Sequence, residues 1–341
     1  MNNEFEIVII GAGPAGSSAA LRIAQRDPDL ARKILVLEKA NFPRAKLCAG
    51  GVTTHADNLL ARLGARVDVP SFPIHAIQFR YKNSSAVLRW KNIFRVVRRE
   101  EFDTALARVA IVIGADGANS IARKKIGLER WDRKSRLMEI LTPVDSARAF
   151  EFENHTAVFD FTPIAHGVQG YYWDFPSVKQ NVPTMNRGIF DARVYPHAPR
   201  ADLKREFENA LAQRAVELDD VHLMGHPERW YDPRAKHSAP RVLLAGDAAG
   251  TEPLLGEGIS HAIHFGILAA DAALDALRRE NFSFANYERR IAWSRLGLHL
   301  RAKKIVAQVV FAAHGEWFYR WGFELLRILF ANVNGESQSA T

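Results

Sequence analysis

The residues best suited to chemistry sit within the first forty positions. Gly11-Ala12-Gly13-Pro14-Ala15-Gly16 is a G-x-G-x-x-G turn, and the acid Glu38 follows about 20 residues further on. Gly11 makes the tight turn, and Gly13 keeps a side chain out of the way of a pyrophosphate. Gly16 lets the next helix pack close to the strand. Free N–H groups and the positive dipole end at that helix N-terminus favour phosphate, and Glu38 can accept hydrogen bonds from ribose hydroxyls. The flanking elements must hold this turn in place. Phe5–Ile10 ends in Ile7-Val8-Ile9-Ile10 and reads as a strand buried on both faces. Ser17–Arg26 reads as a helix and Lys33–Leu37 as a second strand. Together they make a βαβ unit that binds a dinucleotide.

A second set of residues points to a flavin. Arg241–Ala245 reads as a buried strand, followed by Gly246-Asp247-Ala248-Ala249-Gly250. An aspartate at a strand end can hold the ribityl hydroxyls of a flavin. Next comes Thr251–Ile259, opening a helix rich in small residues through Ala270. Its turn, with Pro253, Gly256 and Gly258, can face the electron-poor end of the ring and stabilise negative charge on the reduced form. Ile111–Ser120 is a third strand-turn motif of this type and contains Asp116; Arg98, ahead of Glu101-Phe102-Asp103, completes the set. Alternation puts Tyr171, Trp173 and Phe175 on one strand face, where they can line an apolar slot or form the core of a second domain. Cys48 lies among glycines and reads either as a reactive thiol or as a small inert hydrophobe. His261 and His264 have a helical metal spacing but no third ligand in view, so no metal is expected.

Taken together, these motifs resemble the FAD-dependent oxidoreductases related to p-hydroxybenzoate hydroxylase, and within them the geranylgeranyl reductase-like branch. Lys46-Leu47-Cys48-Ala49-Gly50-Gly51 is similar to that branch's K-x-C-G-G-G, and Gly170–Pro176 is similar to its G-Y-x-W-x-F-P. The resemblance covers most of residues 5–290. It implies bound FAD, with NAD(P)H or another donor visiting transiently because no second dinucleotide fingerprint follows. It implies reduction of double bonds in an isoprenoid or lipid chain. Cys48 would then sit near flavin and substrate, and Tyr171, Trp173 and Phe175 would line the lipid pocket. Ala49 departs from the pattern by placing a methyl group where the branch has glycine. A monooxygenase or halogenase acting on an aromatic substrate is the rival within the same fold.

One junction breaks the pattern. Glu100–Val109 reads as a helix and Ala110–Ile113 as a strand with no turn between, whereas such connections usually take about 2–6 residues. A strand and a three-stranded meander of the resembled family are missing at 109–111. That raises a third reading, a catalytically impaired flavoprotein-like binding protein.

Composition bounds the rest. The chain has 341 residues, 48% hydrophobic and 25% charged, which excludes a disordered or fibrous protein. A net charge of +8 favours anionic partners, although the basic residues are dispersed and no nucleic-acid motif occurs. The single cysteine excludes an internal disulfide framework and fits a reducing compartment. No apolar run is long enough to span a bilayer, and a cytoplasmic protein is expected. The apolar stretch Trp317–Phe330, punctuated by Arg320 and Arg327, adds an expected peripheral contact with the inner face of a membrane.

The expected architecture is α/β with an α+β second domain. A doubly wound, Rossmann-type FAD-binding domain (1–65, 98–130 and 236–280) interleaves with a β-sheet substrate domain (66–97 and 131–235). C-terminal helices (281–331) and a polar tail (332–341) follow. Oligomeric state is left open.

Overall fold

The computed structural model describes residues 5–109, 134–218, 222–312 and 315–339. The expected strand at Ala110–Ile113, Asp116 and most of the 109–111 junction lie outside these residues.

The glycine turn joins β1 (Ile7–Ile10) to α1 (Pro14–Arg26), and a short α2 (Pro28–Ala31) leads into β2 (Ile34–Leu37), which pairs parallel to β1. Ile7 and Ile9 pack on Ile23, Leu30, Ala270 and Leu274. The expectation that this strand is buried on both faces is corrected: Val8 and Ile10 are 51% and 44% exposed. Among the described residues helices cover one face only, so a run of four β-branched residues still alternates in burial. A cleft of about 380 Å³ separates β1 from Arg241–Ala245.

A mixed eight-stranded sheet forms the other half. In chain order its strands are β3 (Gly51–Thr53), β4 (Ser71–Tyr81), β5 (Ser84–Val97), β6 (Lys134–Pro143), β7 (Thr156–Asp160), β8 (Gly170–Lys179), β9 (Val182–Asp191) and β10 (Met224–Arg229). The spatial order is β10-β6-β9-β8-β7-β4-β5-β3, with β4 and β7 parallel and every other pair antiparallel. Gln180 and Asn181 both take positive φ and close the β8–β9 hairpin as a two-residue turn whose twist matches the strands. Tyr171, Trp173 and Phe175 of β8 face a core shared with Phe159, Phe190 and Phe323. Tyr172 faces the opposite way, onto Phe207 of the helix that follows β9.

The chain returns to the glycine turn twice. Between β5 and β6 comes α4 (Arg99–Val109), which packs on α1, and α5 (Phe150–Glu153) precedes β7. Helix α6 (Leu203–Ala212), which carries Phe207, is capped by the Asp202 carboxylate, an acceptor for the Arg205 N–H. The strand expected at Arg241–Ala245 shrinks to β12 (Val242–Leu243), paired antiparallel with β11 (Ser238–Ala239). Its partner is only two residues long, and Arg241 turns the backbone at φ 63°, so the ladder cannot extend. Next, α7 (Ile259–Arg279) packs against α1 at Gly266, where a Cβ would lie 2.1 Å from the Ala15 carbonyl oxygen. Only glycine admits that approach.

Three helices finish the described chain: α8 (Tyr287–Trp293), α9 (Arg295–Phe311) and α10 (Glu316–Ser339). Helix α10 runs on through residues read as a polar tail, since nothing between Asn332 and Ser339 forbids adding one backbone bond per residue. Its Tyr319 and Phe323 pack against Tyr81 in the sheet core, while Trp317 and Trp321 are 73% and 67% exposed.

Candidate functional site: a flavin cradle against a sheet of aromatics

At one pole the backbone and charges prepare an anion site. Gly11 adopts φ 94°, and Gly13 caps α1 with no side-chain hydrogen bond and no acid in the first turn. A Cβ at Gly13 would meet only Arg44 Nη2, at 3.6 Å, so the turn is open on that side. The Glu38 carboxylate accepts the Ala12 N–H at 2.7 Å, which sets it beside the turn. Arg44 lies 3.6 Å from Glu38 and 3.2 Å from Asp103, and its Nε is buried without a hydrogen-bond partner. Arg98, at the end of β5, is 8% exposed and its Nε is likewise unpartnered. Buried donors without acceptors are costly in a finished structure and suit a polyanionic ligand.

The second flavin motif closes onto the same pole. Gly246 takes φ 60°, and a Cβ there would lie 2.8 Å from the Ala15 Cβ, so the turn carrying Asp247 rests on the first turn of α1. Asp247 lies 3.7 Å from Lys46 Nζ. The Lys46 ammonium donates to His226 Nε2 at 3.0 Å; burial, with help from Lys46, pushes that imidazole down to about 4, so it is a neutral acceptor. Pro253 is buried, and Gly256 turns the chain at φ 67° ahead of α7, whose cap Gly258 offers no side-chain acceptor.

Glu252 organises this turn, a role invisible in the linear motif. Its carboxylate accepts the N–H groups of Leu254, Leu255 and Glu257 and pairs with Lys303 of α9 at 3.3 Å. Glu257 is also pulled in by Lys303, at 3.0 Å. Burial pushes the Glu257 carboxyl up, but Lys303, His261 and Ser260 together outweigh it and hold it near 2. Glu257, His261 and His299 form a cluster of potential metal ligands, with the Lys303 ammonium already on the carboxylate. His264 sits instead beside His55.

The cysteine loop bridges the two halves. Cys48 N–H donates to Glu139 Oε1 at 3.2 Å, its carbonyl accepts Asn186 Nδ2 at 3.3 Å, and Asn186 Oδ1 accepts the Trp173 indole N–H at 2.8 Å. Burial pushes the thiol up, so Cys48 is a thiol rather than a thiolate at neutral pH. Gly50 takes φ 80° with a notional Cβ only 2.0 Å from the Val97 carbonyl oxygen. Ala49 has no positive φ and packs its methyl group on the aromatic core, so the departure from the glycine pattern does not strain the loop.

The three aromatics of β8 are 5%, 4% and 6% exposed and form a packed wall. The Tyr171 hydroxyl donates to the Leu255 carbonyl, tying the wall to the turn that carries Pro253, Gly256 and Gly258. Trp173 lies over Gly188, where a Cβ would be 2.1 Å from the indole. On the same sheet face stand two acids that the linear sequence does not single out. Burial pushes Glu139 up to about 7, against the Cys48 N–H and Arg98. Burial and the neighbouring Asp247 carboxylate push Glu228 up to about 8. Each has a buried Oε2 without a partner. Strand alternation placed them: Glu139 is opposite Gly188, and Glu228 opposite Ser135.

A FAD binding domain family profile matches residues 94–270. The chain belongs to that family. The glycine turn at 11–16 lies outside the match, and its geometry supports the same cofactor independently. A digeranylgeranylglycerophospholipid reductase of Methanopyrus kandleri is 26% identical over 328 residues, covering 82% of this chain and 79% of its own. A menaquinone reductase of Mycolicibacterium smegmatis is 26% identical over 329 residues, covering 80% and 76%. The solved structure of a geranylgeranyl bacteriochlorophyll reductase-like protein from Thermoplasma acidophilum superposes with a TM-score of 0.75 at 19% identity, covering 95% of this chain and 91% of that one. This FAD-binding oxidoreductase family therefore accounts for the fold and cofactor; the reaction depends on residues at the site. Among the described residues no helix is long and apolar enough to cross a membrane.

Proposed function

We propose that this protein is a FAD-dependent reductase that saturates carbon–carbon double bonds of an isoprenoid chain carried by a lipid. The observation that carries the reading is the contact between the flavin turn and an aromatic wall, through Tyr171 and the Leu255 carbonyl. Gly11, Gly13 and Gly16 would cradle the pyrophosphate, with Arg44 and Arg98 as its counter-charges. Glu38 would hold the ribose, Asp247 the ribityl chain, and Pro253, Gly256 and Gly258 the ring edge. Bound there, FAD supplies hydride once a nicotinamide or another donor has reduced it. Cys48 contributes a neutral, fixed loop rather than a nucleophile.

Space for a chain borders the same aromatic core. A cavity of about 910 Å³ is lined by Tyr81, Ile164, Val168, Tyr195, Phe311 and Tyr319. Tyr81 and Tyr319 belong to the same core as Tyr171. The exposed Trp317, Trp321, Ile328 and Leu329 of α10 suit the headgroup boundary of a bilayer from which such a substrate is drawn.

The test is product analysis of the purified yellow protein with a geranylgeranyl lipid, reduced and under argon. The expected product gains two hydrogens per double bond without oxygen, and Trp317→Ala with Trp321→Ala slows turnover from vesicles but not from detergent. Turnover that requires oxygen, or halide, moves the protein to the monooxygenase or halogenase reading. Colourless protein that refuses FAD makes it an impaired binding protein.

A further inference from the structure

One carboxyl borders both the cofactor turn and the aromatic wall. A Cβ on Gly256 would lie 3.0 Å from Glu228 Oε2 and 3.4 Å from the Phe190 ring, so the carboxyl, the flavin turn and the wall meet at one point. Oε2 is buried and has no hydrogen-bond partner. Glu139, the other raised acid, has one oxygen committed to the Cys48 N–H and so holds the loop. We propose, on the reductase reading above, that Glu228 is the proton donor that completes reduction of the substrate double bond.

The chemistry balances. The π bond breaks, and two C–H bonds form. Hydride reaches one carbon from the reduced flavin, which is thereby oxidised, and the neighbouring carbon takes H⁺ from the Glu228 O–H. The carboxylate left behind is reprotonated from solvent.

The surroundings suit an acid that must first be neutral and then briefly charged. Burial, Asp247, Glu252 and Glu139 all oppose ionisation of Glu228, while Lys46 favours it. His226, on the same strand and bonded to Lys46, is neutral and adds no charge. At neutral pH the carboxyl is therefore protonated next to an apolar wall, a donor state that an exposed glutamate could not hold.

The experiment compares the parent holoprotein with Glu228→Gln and Glu228→Asp. FAD affinity of both variants, read by flavin fluorescence, should stay within about threefold of the parent, because the residue acts on substrate. A protonated-carboxyl infrared band of the parent should titrate near pH 8 and vanish in Glu228→Gln. Single-turnover reduction of the lipid double bond should fall about 10²–10⁴-fold in Glu228→Gln and recover in part in Glu228→Asp. The alkaline limb of the parent's pH profile should be absent in the glutamine variant. The role is overturned by a glutamine variant that keeps the parent's rate and limb, by an unchanged infrared band, or by loss of FAD affinity in both variants. A parent that leaves the double bond intact overturns the reductase reading and this role with it. A parent that saturates it alongside an equally fast glutamine variant overturns the role alone.

Discussion

The two faces of the eight-stranded sheet bury charge in opposite ways. On the face turned to α6, the Asp174 carboxylate accepts from Arg187 at 3.0 Å, from Arg214 at 2.5 Å and from the Tyr172 hydroxyl at 2.7 Å. Arg214 also lies over the Tyr172 ring, 4.1 Å from its centroid. On the face turned to the Gly256 turn, Glu139 and Glu228 each leave an oxygen buried and unbonded. The strands are shared, and Asp174 follows Trp173 directly. Burial alone does not make a functional group; what differs is whether opposite charge was supplied. A charge-paired network fixes the structure, whereas an acid without a bonded counter-charge keeps a proton it can give away.

The contrast is easiest to break on the charge-paired face. Asp174→Ala strands two guanidinium groups, and unfolding by urea should report a loss of about 3–5 kcal/mol. FAD affinity per folded molecule should be unchanged; a loss of affinity instead would show that the two faces are energetically coupled. A second variant lies on neither face. Gly13→Val has room for its side chain beside Arg44 in the absence of cofactor, so thermal stability of the apoprotein should survive while FAD affinity drops at least about 100-fold, roughly 2.8 kcal/mol. Equal retention of flavin would remove the turn from the binding site.

The smallest effect is a pH slope. Glu139 is raised to about 7 in the folded protein, above its unfolded value, so the unfolded state binds fewer protons between about pH 4.5 and 7. Stability should therefore fall as pH rises through that window, by on the order of 1–3 kcal/mol from Glu139, and Glu228, raised to about 8, carries a further fall on to about pH 8. Glu139→Gln should lessen the slope below about pH 7 and leave the part that Glu228 carries. A parent whose stability rises across the same window would show that Glu139 is ionised and paired.

The turns of the proposed cofactor pole were legible in the chain. Glycine turns, the strand-end acid and the Gly-Asp motif act through backbone geometry and near neighbours, which a short segment already specifies. Burial of β1 was not legible, because four β-branched residues look alike whether one face or both are covered. Tyr171, Trp173 and Phe175 were readable as one face by alternation, but not as a packed wall hydrogen-bonded to the flavin turn. Glu139, Glu228 and Lys303 carry no local signature, because the groups around them lie on strands and helices far along the sequence; Glu252 bonds its own turn, and only its pairing with Lys303 is long-range. From its sequence alone, this protein determined the dinucleotide turn, the flavin motifs and the alternating aromatics, since these depend on periodicity and on conformations few residues allow. Only the tertiary structure decided which acids are paired and which are not, because a carboxyl's charge state depends on what packs against it and how much water is excluded.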